Sequence, residues 1–246
     1  MCSLRVEFGV VQGYEVVTVF PTKKAKRPRV VAYHTGAGET ARVLSDPRNE
    51  KRGILKALSG AGYVVTSITS TKDHWGSPVA LKAHDALYGW IRSDFSTRKI
   101  GLLCQSMGGL SAYNWACRNP RAVLGVYGIY PVTNLAAMLK GPAGPVIAKV
   151  YEAQGIDLGR EISSFDPIRQ IGYLGRDGVP AKHRHGDADA LVEYEPNALR
   201  FALAYTKSGG KLELVSVKGL GHQVDPSFFN AEEVLAFMDS LKWDSR

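Results

Sequence analysis

The sequence predicts an α/β fold in which helices cover both faces of a mostly parallel central sheet. Short apolar runs alternate along the chain with segments of helical periodicity, the order that buries a parallel sheet between helices. The start differs: apolar-rich residues 4–11 and 14–20 are joined by Gln12-Gly13, which predicts an antiparallel hairpin. A chain of 246 residues is long enough to bury one sizeable core, so we expect one domain over 1–246.

Six further strands are predicted from short, mostly apolar runs bounded by turn residues. They lie at 29–33, 63–67, 99–105, 123–130, 179–185 and 211–217. Helices are predicted where apolar residues recur at helical spacing, and Ala61-Gly62 and Asn119-Pro120 are stop signals for two of them. The helices cover 48–60, 78–95, 107–118, 196–208 and 231–243.

Residues 134–178 contain helical pieces but no predicted sheet strand. We therefore expect a small, lid-like helical insertion after the sixth strand. Its apolar face either walls a pocket or packs on the sheet. The members of that face are Met138, Val146, Ile147, Val150 and Tyr151.

The charge balance is basic, with 31 Lys and Arg against 23 Asp and Glu and a net charge of +8. The densest basic run comprises Lys23, Lys24, Lys26, Arg27 and Arg29. A solvated loop between two strands explains this run. Because no aromatic residues are interleaved with it, as in proteins that bind single strands, we expect no nucleic-acid partner.

The sequence predicts no metal site. Its three cysteines show no C-x-x-C spacing, which argues against a zinc site and against a disulfide framework. His183, His185 and Asp187 alternate along a strand and share one face. Ala188 stands where an H-x-H-x-D-H metal motif has its last histidine, so the ligand set is incomplete.

The N-terminal segment has no basic stretch followed by a continuous apolar run, so no signal peptide is predicted. No stretch approaches the roughly 18 apolar residues of a membrane span. The expectation is a cytoplasmic protein without a membrane span.

The segment CQSMGG at 104–109 carries the first candidate catalytic group. A strand is predicted to end at Gln105 and a helix to begin at Met107, which places Ser106 on the sharp turn between them. A serine there projects its hydroxyl clear of the sheet, above a helix N-terminus whose N–H groups suit a developing oxyanion. Serine also favours helix N-caps for structural reasons, so the motif needs partners.

Two later loops supply the partners that a serine nucleophile requires. Asp187 and Asp189 follow the strand at 179–185, and His222 follows the strand at 211–217. Carboxyl ends of parallel strands meet at one edge of a sheet, so these loops should converge on Ser106. The order serine, acid, histidine is that of a nucleophile, an orienting carboxylate and a general base.

The strings CQSMGG, HGDADALV, GLGHQ and YHTGAG together resemble the α/β-hydrolase superfamily, in its esterase and prolyl-oligopeptidase-like branches. The resemblance covers about 16–243 and implies an α/β-hydrolase fold. The family's G-x-x-D-x-x-V pattern selects Asp189 over Asp187, and Asp225 is less suited as the acid. The sequence departs from the family pattern at two glycines. Cys104 stands in place of the first elbow glycine, and Thr35 stands in place of the glycine after the oxyanion-loop histidine.

The resemblance also implies an oxyanion hole. Its first donor is the Met107 backbone N–H, directly after the nucleophile. The second is expected in the loop after the strand at 29–33, at Gly36 or, next, at Thr35. Residues proposed to line the substrate pocket are His34, Gln105, His74 and Trp75, although His34 also reads as a structural loop residue and His74-Trp75 as a packed turn.

The predicted function is that of a serine hydrolase that cleaves a carboxylic ester of a small or medium acyl substrate, without a metal or organic cofactor. A peptidase or acyl-aminoacyl hydrolase and a thioesterase would use the same three residues. A non-enzymatic binding module on the same fold is the alternative of a different class. A binder of anionic polymers, using the +8 charge, is a third.

Overall fold

The computed structural model describes residues 4–22 and 28–243. Of the basic run, Lys23, Lys24, Lys26 and Arg27 lie outside the described residues, and Arg29 begins a strand. The described residues form an eight-stranded sheet with helices around it. The strands are β1 (Arg5–Val11), β2 (Tyr14–Phe20), β3 (Arg29–His34), β4 (Tyr63–Ile68), β5 (Ile100–Gln105), β6 (Val123–Ile129), β7 (Pro180–Gly186) and β8 (Lys211–Val217).

The strand order across the sheet is β1-β2-β4-β3-β5-β6-β7-β8. Strand β1 pairs with β2, and β2 with β4, in antiparallel fashion, and the remaining neighbours are parallel. This is the predicted mostly parallel sheet with an N-terminal antiparallel hairpin. The carboxyl ends of β3, β5, β7 and β8 therefore face the same edge.

Helices cover both faces of the sheet, as predicted. They are α1 (Arg52–Gly60), α2 (Pro78–Asp94), α3 (Gly108–Arg118), α4 (Leu135–Met138), α5 (Gly144–Glu152), α6 (Leu158–Glu161), α7 (Pro167–Gln170), α8 (Gly172–Arg176), α9 (Arg200–Lys207) and α10 (Ala231–Ser240). A π-helical turn over Tyr194–Leu199 leads directly into α9.

The core follows from side-chain alternation in the central strands. Every residue of β4 and β5 is buried, as expected of strands covered on both faces. Leu102 packs in a cluster with residues of α2 and α3, and its neighbour Leu103 packs in a second cluster with residues of α1 and α10. Successive side chains thus point to opposite faces and fill two separate cores.

The insertion at 134–178 forms helices α4 to α8 and adds no strand to the sheet. Ile147 and Tyr151 are fully buried in the same cluster as the α2 and α3 residues, whereas Val146 is exposed. The apolar face therefore packs on the body of the protein through these two residues and Met138, which is buried in the same cluster. Within the described ranges, no helix combines the length and apolar character needed to cross a membrane.

Candidate active site

Ser106 occupies a tight turn between β5 and α3. Its backbone has a φ of 50°, a left-handed conformation, and its N–H donates to the Ile129 carbonyl at 3.0 Å. The turn needs a small residue two positions on, because a Cβ at Gly108 would overlap the backbone of His34 and Thr35. Such strain at a single serine between a strand and a helix marks a functional position.

His222 approaches Ser106 from the loop after β8. Its Nε2 atom lies 2.8 Å from the Ser106 Oγ atom, within hydrogen-bonding distance. The ring of Tyr130, at the end of β6, packs on the imidazole with centroids 4.4 Å apart. The histidine is thus supported from one side while its Nε2 faces the serine.

Asp189 completes the arrangement from the loop after β7. Its Oδ2 atom lies 2.7 Å from His222 Nδ1, and its Oδ1 atom accepts the N–H groups of Leu191 and Val192 at 3.0 and 2.8 Å. Burial alone would raise the pKa of Asp189, but hydrogen bonds from His185 and His222 outweigh it and hold the pKa below its ordinary value. The carboxylate is therefore ionised at neutral pH.

The other two candidate acids point elsewhere. Asp187 accepts the Gly219 N–H at 2.6 Å and braces the loop after β8. Asp225 accepts the Ser227 N–H at 2.8 Å at the surface. The structure thus brings Ser106, His222 and Asp189 together, the three residues named from the sequence.

The N–H groups that are available in the cleft differ in part from those expected for an oxyanion hole. Gly36 is not free to donate, because its N–H already donates to Glu39 Oε2 at 2.8 Å. Thr35 is buried and does not line the cleft. Ala37, the next residue, is exposed in the cleft beside Ser106, and its N–H has no acceptor among residues 4–22 and 28–243. The Met107 N–H likewise has no acceptor in those ranges.

Glu39 is a cleft residue that sequence reasoning missed. Besides the Gly36 N–H, its carboxylate accepts from Tyr33 Oη at 3.1 Å and from Lys51 Nζ at 2.9 Å. Lys51 is buried, with 1% of its side chain exposed, and also pairs with Glu50 at 2.5 Å. The one signal in the sequence was the three-residue spacing from Gly36 to Glu39, which is typical of a turn closed by a side chain.

The cleft over Ser106 has a volume of about 350 Å³ and mostly apolar walls. Its lining residues are Gly36, Ala37, Glu39, Trp75, Gln105, Ser106, Tyr130, Val132, Met138, Pro142, Ala143, Leu191, Val192, His222, Gln223 and Val224. Three of them, Met138, Pro142 and Ala143, belong to the insertion, which thus supplies one wall. Trp75 and Gln105 line the cleft as expected.

The prediction that His34 and His74 line the pocket is wrong, because both are buried away from the cleft wall. His34 stacks on His84 with ring centroids 3.8 Å apart, and its Nδ1 lies 3.0 Å from Ser111 Oγ. His74 Nδ1 accepts the Gly76 N–H. Burial lowers the pKa of His34 well below its ordinary value and that of His74 to about 4, so these rings are neutral packing groups under the oxyanion loop.

The two histidines of β7 are buried and make their contacts inside the protein. His183 Nε2 lies 2.5 Å from Tyr113 Oη, and His185 Nε2 lies 2.7 Å from the Val192 carbonyl and 3.4 Å from Asp189 Oδ2. Among the described residues, no group of three or more His, Cys, Asp and Glu side chains is arranged to hold a metal ion. His185 instead acts as a second neighbour of the Asp189 carboxylate.

Searches against models of protein families and against curated protein sequences find no match for this chain. Solved structures do match it. Est1E from Butyrivibrio proteoclasticus is 19% identical, with a TM-score of 0.66, over 95% of this chain and 97% of that chain. An S-formylglutathione hydrolase from Agrobacterium tumefaciens is 17% identical, with a TM-score of 0.68, over 96% of this chain and 91% of that chain.

Larger proteins match as well. A puromycin-hydrolyzing peptidase from Mycobacterium tuberculosis is 12% identical, with a TM-score of 0.77, over 97% of this chain and 40% of the peptidase. The chain spans only 36% to 43% of the length of four such larger proteins. At these identities, the likeness shows a shared fold.

Proposed function

We propose that this chain, whose fold is that of the α/β-hydrolases, is a serine hydrolase that cleaves a carboxylic ester of a small or medium acyl group. The observation that carries the proposal is the unbroken contact from Ser106 Oγ to His222 Nε2 at 2.8 Å and from His222 Nδ1 to Asp189 Oδ2 at 2.7 Å. A nucleophile, a base and an orienting carboxylate at these distances are what acyl transfer to a hydroxyl requires.

The geometry supports a two-stage reaction. His222 takes the proton of Ser106 as its oxygen attacks the acyl carbonyl carbon, and Asp189 stabilises the imidazolium. The N–H groups of Met107 and Ala37 donate to the oxyanion, a contribution of about 3 kcal/mol per donor. The alcohol then leaves with the proton from His222, and water hydrolyses the acyl-enzyme by the same steps. This chemistry needs no metal or organic cofactor.

The cleft favours an uncharged acyl group. Its walls are mostly apolar, and its volume of about 350 Å³ is at the small end of ligand sites. Leu191 and Val224, 59% and 66% exposed, extend the apolar surface at the rim. A short aliphatic acyl chain fits these walls. The insertion at 134–178 is then a wall, and by our proposal a lid, over the acyl site.

Amide and thioester substrates share this mechanism and are distinguished by the leaving group. The likeness to a puromycin-hydrolyzing peptidase motivates an amide substrate as the second candidate. Parallel assays of p-nitrophenyl butyrate, butyryl p-nitroanilide and a butyryl thioester give the preference directly. Higher kcat/KM on the anilide would replace the ester assignment.

The test of the proposal is hydrolysis of p-nitrophenyl acetate and butyrate by wild type, Ser106→Ala and Ser240→Ala, with labelling by a fluorophosphonate. We expect wild type and the Ser240 variant, altered at an exposed serine of α10, to turn over and to label at Ser106. The Ser106 variant should do neither. A folded wild-type protein that neither turns over nor labels at Ser106 would support the binding module in place of the enzyme.

A further inference from the structure

We propose that Glu39, held by the buried Lys51, is a positioning residue that sets the orientation of the oxyanion-loop peptide between Gly36 and Ala37. The inference rests on the proposed function, since it concerns how the same site stabilises an oxyanion. It adds two residues, Glu39 and Lys51, that lie outside the group formed by Ser106, His222 and Asp189.

Glu39 binds Gly36 at both of its backbone polar groups. The carboxylate accepts the Gly36 N–H at 2.8 Å, and the Glu39 N–H donates to the Gly36 carbonyl at 3.3 Å. The carbonyl of Gly36 and the N–H of Ala37 belong to one planar trans peptide and point in opposite directions. Fixing Gly36 at both ends therefore fixes where the Ala37 N–H points.

Lys51 holds the carboxylate in this orientation. Its Nζ donates to Glu39 Oε1 at 2.9 Å, while Oε2 takes the Gly36 N–H and the Tyr33 hydroxyl. Both carboxylate oxygens thus have donors on fixed parts of the fold. The side chain of Glu39 is 19% exposed and lies in the cleft wall, so it would otherwise be free to turn toward solvent.

Stability alone is a weak explanation for this arrangement. Lys51 is 1% exposed, and removing an ammonium group from water is strongly unfavourable before its partners offset the loss. Buried ion pairs are often replaceable by apolar residues without loss of stability. A buried cation whose carboxylate partner fixes a catalytic loop is better explained by the orientation that it imposes.

The same network reaches the nucleophile turn. The Tyr33 hydroxyl lies 3.1 Å from Glu39 Oε2 and 3.0 Å from Gln105 Oε1, and Gln105 directly precedes Ser106. Gln105 Nε2 donates to the Tyr130 hydroxyl at 2.9 Å, beside His222. Through Tyr33, Glu39 is therefore linked to Gln105, which precedes Ser106, and through Gln105 to Tyr130, which packs on His222.

The experiment compares Glu39→Met with Glu39→Gln, two substitutions of similar volume. Gln keeps an oxygen that accepts the Gly36 N–H, although its NH₂ group replaces the oxygen that accepts from Lys51, and Met keeps neither contact. We expect Glu39→Met to lower kcat for p-nitrophenyl butyrate about tenfold to a hundredfold with KM within threefold, below the full loss of one oxyanion donor. Glu39→Gln, which keeps the Gly36 contact and loses the Lys51 contact, should recover part of that loss.

A second readout isolates the oxyanion. A trifluoromethyl ketone adds to Ser106 Oγ, its own oxygen becomes the oxyanion, and His222 takes the serine proton. Its inhibition constant should rise in Glu39→Met by the same factor by which kcat/KM falls. A purely structural role would lower the melting temperature without this parallel change.

Glu50→Gln is the matched control. It removes the other carboxylate on Lys51, 2.5 Å from Nζ, and leaves the Gly36 contact intact. Its kcat should stay within about twofold of wild type. If Glu39→Met fails to fold, Glu39→Ala takes its place in the same comparison.

Two results would overturn the inference: a folded Met variant with wild-type kcat, whatever its KM, or a Gln variant as impaired as the Met variant. In each of them the wild type still hydrolyses the ester, and the proposed function stands. Absence of turnover and labelling in the wild type is a failure of the proposed function instead.

Discussion

Asp189 contacts His222 through one carboxylate oxygen, Oδ2 at 2.7 Å from Nδ1, and uses the other to accept two backbone N–H groups of its own loop. The carboxylate is thereby fixed while it orients the imidazole. The neighbouring Asp187, two residues earlier, is turned toward Gly219 instead. The two carboxylates offer a matched pair for testing which one serves the reaction.

We expect Asp189→Asn to lower kcat about 10⁴-fold, because an amide at this position favours the wrong tautomer of the histidine. Asp187→Asn keeps an oxygen for the Gly219 N–H and should leave kcat within threefold of wild type. Steady-state kinetics on p-nitrophenyl butyrate measure both. Equal losses in the two variants would contradict the assignment of Asp189.

The second oxyanion donor is tested at Ala37. Replacing Ala37 with proline removes the N–H that we assign as the second oxyanion donor, and kcat should fall about 10²- to 10³-fold. Ala37→Ser keeps the N–H and should retain the wild-type rate. Thermal melting of both variants establishes that they fold. Unchanged turnover in a folded proline variant would mean that the Ala37 N–H is not the second oxyanion donor and that another N–H of this loop takes that role.

Two glycines within helices should respond oppositely to alanine. A Cβ at Gly108 would overlap the His34 carbonyl, which belongs to a buried strand and cannot yield. Gly89 in α2 is exposed, with open space around its Cβ position. Urea unfolding should show Gly108→Ala destabilised by about 1–3 kcal/mol and Gly89→Ala stabilised by about 0.5–1 kcal/mol. Equal effects would mean that the nucleophile turn relaxes around a methyl group.

Acid should destabilise the protein through its buried histidines. Burial lowers the pKa of His74 to about 4 and the pKa values of His84 and His183 to about 3, from an ordinary value near 6.5. Below pH 6.5 the unfolded chain binds protons that the folded chain does not, so stability falls as the pH falls. Each histidine contributes up to about 1.4 kcal/mol per pH unit.

The measurement is the free energy of unfolding in urea between pH 7 and pH 4.5. His84→Leu should flatten the slope by about one histidine's share. Asp189 contributes little to this slope. Its lowered pKa stabilises the fold at neutral pH, and that contribution is lost mainly below the ordinary carboxyl pKa near 3.9. A slope in the leucine variant equal to that of wild type would contradict the prediction.

Much of the site was predictable because its parts are tied to strand ends. Ser106, Asp189 and His222 each follow a predicted strand, and parallel strands bring their carboxyl ends to one edge of the sheet. The choice of Asp189 over Asp187, two residues earlier in the same loop, rested on the G-x-x-D-x-x-V pattern of the family that the sequence resembles. Helix ends were less well predicted: the helix expected over 231–243 ends at Ser240.

The sequence by itself determined the fold class, the order of strands and helices along the chain, and Ser106 and His222 as residues that follow strand ends, because these depend on periodicity and on local turn chemistry. Only the tertiary structure decided that Gly36 donates to Glu39 and that the Ala37 N–H, in the cleft, has no acceptor among the residues that the structure describes. It also decided that His34 and His74 lie in the interior. Such assignments depend on which side chains of distant elements come into contact, and burial and hydrogen bonding across elements are set by packing and register.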